Sequence, residues 1–365
     1  MDLRLKKIDK YIMKKFIVTF FIALLLIIGI VIIFDISEKV DDFVEKKAPL
    51  HAIIFDYYVN FVPYFMNMFS PLFVFITVIF FTSRMAANSE IIAILSCGVS
   101  FHRMMYPYML SALLIALLSL GLNLWVIPRA NTVRVKFEAQ YTKVNRKALS
   151  SRDVHYQLNP GEFVYVESFS SWNNTAYNFS LEKIEGNQLI EKITAETAVW
   201  DSTFGGWKLK KYFVRDYNPE GLADKVTFGT EKDTVLNLTV TDFYRNKKTV
   251  ETLPIGPLNQ LIKIQKSRGD ANVMYAQIEK QTRLALPFSA FILTIIGVSL
   301  SSRKRRGGIG LNIGLGIALS FTYILFLRFS QMFVYSDTLP PALALWLPNF
   351  IFAIIAGVLY WRACK

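Results

Sequence analysis

Six long stretches of the chain carry no Asp, Glu, Lys or Arg: residues 16–34, 61–82, 104–127, 284–302, 309–327 and 342–361. Each is about as long as a helix needs to cross the roughly 30 Å hydrocarbon core of a bilayer. The pattern predicts six membrane-spanning helices, grouped three and three. The first apolar run is too long for a cleaved signal peptide, and no small-residue cleavage site follows it, so it is expected to stay as the first span. Between the two groups, residues 128–283 are polar and read as β-rich. Residues 162–167, 192–200, 207–214 and 234–240 alternate or run with β-branched and aromatic side chains. Turn signals separate them at Asn159-Pro160-Gly161, Gly186-Asn187, Gly205-Gly206 and Asn218-Pro219-Glu220-Gly221. Short strands joined by tight turns predict an antiparallel sandwich or jelly roll. Helical pieces flank it: 131–144 beyond the third span, then 257–267 and 273–282 leading into the fourth. A smaller acidic loop is expected over 35–60.

Composition agrees with a membrane assignment. Of 365 residues, 53% are hydrophobic, above the roughly 45–50% of soluble domains. The net charge of +13 is informative through its placement. Lys6, Lys7, Lys10, Lys14 and Lys15 precede the first span, and Arg84 and Arg103 bracket the loop between the second and third. Arg303-Lys304-Arg305-Arg306 fills the loop between the fourth and fifth, and Arg362 and Lys365 follow the sixth. The positive-inside rule puts all of these, and both termini, in the cytoplasm and the β-rich segment outside it. The basic clusters abut spans and lack interleaved aromatics, which argues against nucleic acid as a partner. The expected layout is an α-helical membrane protein with six transmembrane helices and an inserted periplasmic all-β, jelly-roll-like domain. Its parts are 1–127 (three helices and a cytoplasmic helix at about 84–98), 128–272 (β domain) and 273–365 (three helices).

Chemistry is limited by what is missing. The two cysteines, Cys97 and Cys364, build neither a disulfide framework nor a metal site, and His51, His102 and His155 have no ligand spacing. There is no Gly-x-x-x-x-Gly-Lys-Ser/Thr loop, Gly-x-Ser-x-Gly elbow or His-Glu-x-x-His pair. No intramembrane carboxylate or cation exists to relay protons or hold sodium, as ion-coupled transporters require. An enzyme is not expected, and transport would need an outside energy source. The glycines at 307, 308, 310 and 314 are expected to serve close helix packing.

Residues 83–103, SRMAANSEIIAILSCGVSFHR, form a short polar-flanked helix between two spans. Asn88 or Ser89 suits an N-cap, Glu90 falls in the first turn, Ile91, Ile92, Ile94 and Leu95 give an apolar side, and Gly98 suits the end. Two readings fit these residues equally. One is an interfacial helix with Glu90 as a cap; the other is a docking helix seated in a partner's groove, with Glu90 as its charged contact.

The stretch 89–100, SEIIAILSCGVS, followed by a basic residue, resembles the cytoplasmic loop of the YjgP/YjgQ (LptF/LptG) permeases. Asp9-Lys10-Tyr11-Ile12, Trp125-Val126-Ile127-Pro128, Gly161-Glu162-Phe163-Val164-Tyr165-Val166-Glu167, Arg283-Leu284-Ala285-Leu286-Pro287, Leu339-Pro340-Pro341 and Trp346-Leu347-Pro348-Asn349 follow the same family pattern in order. The resemblance implies a permease that pairs with a second permease of the family and docks on a dimeric cytoplasmic ABC ATPase (LptB-like). That ATPase, not this chain, would bind ATP, so no cofactor is expected here. It further implies extraction of lipopolysaccharide from the outer leaflet of the inner membrane, among membrane lipids, and delivery through the β domain to a periplasmic bridge protein (LptC/LptA-like). The coupling helix falls at about 88–97, with Ser89, Glu90, Ile91, Ile94, Leu95 and Gly98 as ATPase-coupling residues. Arg129, Arg134, Lys136 and Arg328, at the outer rim, are candidates for the lipid phosphates or for snorkelling. Where some family members carry a basic residue late in the first span, this chain has Ile33. The rival readings are an ABC permease for another envelope lipid or for mechanical work, and a membrane-anchored scaffold.

Overall fold

The computed structural model describes residues 6–142, 151–170, 173–217, 224–243, 247–270, 272–302 and 308–364. The expected turn at 218–221, the basic loop at 303–306, Gly307, Lys365 and the tail of the 131–144 helix lie outside them. The chain forms two compact units. One comprises residues up to Phe137 and from Gln277 onward, and the other is Glu138–Ala276.

Helix α1 (Lys7–Glu45) is followed by α2 (Leu50–Ala52), a π-helical turn (Ile53–Tyr58) and α3 (Val59–Ala87), which run on as one rod. The short α4 (Glu90–Ser96) leads to α5 (Phe101–Gly121), a second π-helical turn (Leu122–Val126) and α6 (Ile127–Tyr141). The second unit holds strands β1 (Ser151–Asn159), β2 (Glu162–Ser170), β3 (Thr175–Glu185), β4 (Gln188–Asp201), β5 (Gly206–Asp216) and β6 (Lys225–Thr234). Helices α7 (Val240–Phe243), α8 (Lys247–Glu251) and α9 (Ile255–Ser267) follow. The chain then returns through α10 (Val273–Ser301), α11 (Gly308–Tyr335) and α12 (Pro341–Cys364). Among the described residues six helices are long and apolar enough to cross a membrane, as the charge-free runs predicted. The predicted acidic loop at 35–60 is instead helical except around Lys46–Pro49. Asp35, Glu38, Asp41, Asp42 and Glu45 lie along the C-terminal part of α1, and Asp35 pairs with Lys39 one turn on.

The helical core is built from α1 residues Ile12, Phe16, Phe20, Leu24 and Ile28, packed with Val74, Val78, Met85, Met104 and Tyr108. Close packing uses glycines other than the expected Gly310 and Gly314. Gly310 and Gly314 face open space, whereas a Cβ on Gly297 would lie 2.8 Å from Val78 and one on Gly316 2.6 Å from Ile79. Some polar side chains inside the bundle are paired with one another. Asn67 Nδ2 donates to Asn123 Oδ1 at 2.9 Å beside the second π turn, and Tyr323 donates to Asn349 Oδ1 at 2.8 Å.

The β unit is an all-β domain, but its connectivity differs from a sandwich or jelly roll. The six strands form one antiparallel sheet in the order β1-β2-β3-β4-β5-β6, with every neighbour also next in sequence. A crease crosses this sheet. The ladders are in register on both sides of one row, Asp153, Glu167, Asn178, Glu196, Lys211 and Thr230, but skip that row itself. Asp153, Asn178 and Lys211, on alternate strands, have positive φ there (51°, 50° and 50°). The inward face changes parity at the row, from Val164 and Val166 to Phe169 on β2, and from Ala176 to Phe179 and Leu181 on β3. The expected strand at 234–240 is not one. After Thr234 the chain leaves the sheet, buries Leu238 and places its carbonyl on Trp207 Nε1 at 2.8 Å, and Phe243 then stacks on Phe169 at 4.4 Å. With no disulfide available, this aromatic lid closes the core.

Candidate functional site

The link between α3 and α4 is two residues long. Ser89 turns the chain with φ 62°, and its hydroxyl makes no capping bond, so neither Ser89 nor Asn88 is the side-chain N-cap that was expected. Asn88 Nδ2 instead donates to Glu90 Oε1 at 3.3 Å. Glu90 occupies the first turn as expected, yet its carboxylate reaches a different helix. Tyr11 donates its hydroxyl to Glu90 Oε2 at 3.0 Å, and Lys15 Nζ lies 3.5 Å from the same oxygen. Tyr11 and Lys15 are one turn apart on α1, and the ammonium sits 4.3 Å from the Tyr11 ring centre. Partial desolvation pushes the Glu90 carboxyl up. The hydrogen bonds from Tyr11, Asn88 and Lys15, with the Lys15 charge, outweigh it and hold the group below the usual carboxylate range.

Helix α4 has two faces. Ile91 and Ile94 turn inward and join the helical core, so these two of the expected docking residues are interior. Ile92 and Leu95 are 52% and 37% exposed, and Ser89, Ala93, Ser96 and Cys97 are exposed beside them. The helix ends as predicted at Gly98, whose φ of +81° needs glycine and whose N–H donates to the Leu95 carbonyl at 3.0 Å.

Three other helix ends converge here. Arg103, in the first turn of α5, holds Asp9 of α1 in a two-pronged ion pair at 2.8 and 2.6 Å, and Asp9 is only 1% exposed. The Lys6 backbone N–H also donates to Asp9, at 2.8 Å. Tyr360, near the end of α12, packs on Phe101 and His102 and hydrogen-bonds the latter. Sequence reasoning saw Asp9, Tyr11 and Arg103 only as parts of motifs. The i, i+4 spacing of Tyr11 and Lys15 was the available signal for a shared face.

At the far end of α1 lies a second polar cluster that sequence reasoning missed. Lys39 pairs with Asp35 at 2.6 Å and bonds Tyr57, while Tyr57 and Tyr58 donate to the two Asp35 oxygens at 3.2 Å each. The four candidate phosphate contacts divide. Arg129, Lys136 and Arg328 are exposed, the last reaching Met68 Sδ at 3.4 Å. Arg134 is buried, its guanidinium 4.6 Å from the Tyr64 ring centre, and so is not presented to a ligand as expected. In the β unit a concave cavity of about 800 Å³ runs along the crease, lined by His155, Tyr165, Thr194, Lys192, Lys211 and Arg268 among others.

The family model described as lipopolysaccharide export system permease LptF/LptG matches residues 10–362. Lipopolysaccharide export system permease protein LptG of Escherichia coli K12 is 23% identical over 307 residues, covering 82% of this chain and 83% of the relative. The same protein of E. coli O6:H1 gives the same figures.

Proposed function

Because the chain belongs to the LptF/LptG family of lipopolysaccharide export permeases, we propose that it is one permease subunit of an ABC transporter driven by a separate dimeric ATPase. It sits in the inner membrane with both termini cytoplasmic and the β unit in the periplasm. Paired with a second permease, it takes lipopolysaccharide from the outer leaflet and passes it through the β unit to a periplasmic bridge protein.

The observation that carries this reading is α4. A helix of seven residues between two spans presents Ile92 and Leu95 outward beside an anionic Glu90. That combination fits a groove with an apolar floor and a cationic rim. The six uncharged runs hold no carboxylate or ammonium of their own to carry an ion, and α4 is the place this reading assigns to the entry of energy. At the other end, exposed Arg129, Lys136 and Arg328 suit phosphate, and the creased sheet offers a concave cavity whose lining mixes aromatic residues with the ion pairs Lys192–Glu182 and Lys211–Glu196.

The test is assembly and export together. Glu90→Lys combined with Ile92→Asp should abolish co-purification of the ATPase with the permease pair and stop ATP-driven lipopolysaccharide release from proteoliposomes. Full retention of the ATPase by this variant would overturn the coupling role. Transport of another lipid by the intact complex, with lipopolysaccharide ignored, would overturn the substrate.

A further inference from the structure

The two oxygens of Glu90 face different groups. Oε2 is taken up within the chain, by the Tyr11 hydroxyl at 3.0 Å and Lys15 Nζ at 3.5 Å, both on α1. Among the described residues, Oε1 has the long 3.3 Å contact to exposed Asn88 alone. A cation arriving from a partner can bind Oε1 without displacing either α1 group, because a carboxylate has about four lone-pair sites. The same two helices are also joined through the core, where Ile12 and Phe16 of α1 belong to one cluster with Ile91 and Ile94 of α4. Helix α1 is, in turn, the span least held by the rest of the chain. In its most apolar stretch 22% of residues are buried, close to the 28% of α11 and 33% of α12, against 56% for α2–α3 and 61% for α10.

We propose that Glu90 is a bridging carboxylate, with Oε1 for the ATPase and Oε2 for α1, so that Tyr11 and Lys15 are the positioning residues through which a displacement of α4 is delivered directly to the first span. The Asp9–Arg103 pair, six and two residues from Lys15 and Tyr11, then serves as the fixed point about which the end of α1 turns. Both α1 groups are needed. The hydroxyl sets the direction of the carboxylate, and the ammonium keeps Oε2 charged and engaged while Oε1 exchanges partners.

This rests on the coupling reading of α4, and the experiment separates the two. The complete complex is purified with Tyr11→Phe, Lys15→Met, the double variant or Lys15→Arg, and reconstituted in proteoliposomes. ATP hydrolysis and lipopolysaccharide release are measured on the same samples. The expected result is normal ATPase co-purification with a fall in lipid released per ATP of roughly three- to tenfold in the double variant, the range set by one hydrogen bond plus one half-exposed ion pair. Lys15→Arg should restore the ratio, which a merely structural lysine would not require. An unchanged ratio in the double variant would overturn the proposal while leaving the docking role of α4 intact. Loss of the ATPase on Tyr11→Phe alone would also overturn it, because Oε2 would then belong to the docking contact itself.

Discussion

Replacing Arg103 by Gln should destabilise the helical unit more than replacing Asp9 by Asn, although each removes one partner of the same ion pair. The pair is asymmetric in burial. The Asp9 side chain is 1% exposed and the Arg103 side chain 19%. Without Arg103 the carboxylate keeps only the Lys6 N–H, and an uncompensated buried charge costs about 3–5 kcal/mol. Access for water from the Arg103 side lowers the expected cost to about 3 kcal/mol. Without the Asp9 charge, the guanidinium still lies 5.2 Å from the Tyr106 ring centre and reaches solvent, and an amide at position 9 can still accept from Lys6. The cost is then that of weakened hydrogen bonds, about 1–2 kcal/mol. The double variant Asp9→Asn/Arg103→Gln buries no charge and should lie close to Asp9→Asn, giving a coupling energy of about 3 kcal/mol in a double-mutant cycle. Reversible titration with SDS in mixed micelles, followed by tryptophan fluorescence and helicity, measures all four proteins. Equal costs for the two single variants, or a double variant as unstable as Arg103→Gln, would refute the reasoning.

Three more outcomes follow from the packing and the site. Gly316→Ala places a methyl 2.6 Å from Ile79 and should cost about 1–3 kcal/mol, whereas Gly314→Ala meets nothing and should be neutral within about 0.5 kcal/mol by the same titration. Trp207→Phe leaves the Leu238 carbonyl without its indole donor and should cost about 1–3 kcal/mol, read as loss of β structure on heating. The depressed pKa of Glu90 means that its link to α1 contributes fully above the unfolded value, about 4.3, and fades as pH falls through the lower folded value. The carboxyl ¹³C shift of Glu90 should therefore titrate below that of an exposed glutamate, and Lys15→Met should move its midpoint upward; no movement would remove Lys15 from the link.

The spans were legible because a bilayer penalises charge so heavily that six uncharged runs stand out without any structural information. Helix length beyond the bilayer was not legible. Residues 35–45 look like an acidic loop until the i, i+4 pairing of Asp35 with Lys39 and the burial of Phe43 show a continuing helix. In the β unit, β1, β3 and β6 escaped notice. Strand patterns are recognised by strict alternation, which the parity flip at the crease breaks in every strand; β2, β4 and β5 stood out all the same through their β-branched and aromatic runs, which β1 and β6 lack. On β3 the buried positions run Ala176, Phe179 and Leu181, a spacing that matches neither strand nor helix along its whole length. The site was half legible. Glu90 could be singled out as the lone acid of its segment, but which of its neighbours faced inward depended on the phase of a seven-residue helix. The structure assigns Ile91 and Ile94 to the interior and leaves Ile92 and Leu95 outside.

Helix α1 combines features that a static strut would not need. Its buried positions Ile12, Phe16, Phe20, Leu24 and Ile28 recur every four residues and make one narrow stripe, and from Ile28 to Phe43 no side chain of the helix is buried. Leu25, Leu26, Ile33 and Phe34 are each more than 60% exposed, an apolar surface suited to lipid or to a second permease. Among the described residues, polar contacts fasten the helix near its two ends, to Arg103 and Glu90 at one and through Asp35 and Lys39 to Tyr57 and Tyr58 at the other. Apolar contacts along a single stripe slide at little cost because dispersion is non-directional, whereas charged hydrogen bonds hold a fixed geometry. A rod so arranged turns or shifts between its end fastenings when one of them is moved. The Glu90 link is the one such fastening near α4 that is also partly exposed to a partner, and this makes it the natural point of entry for force.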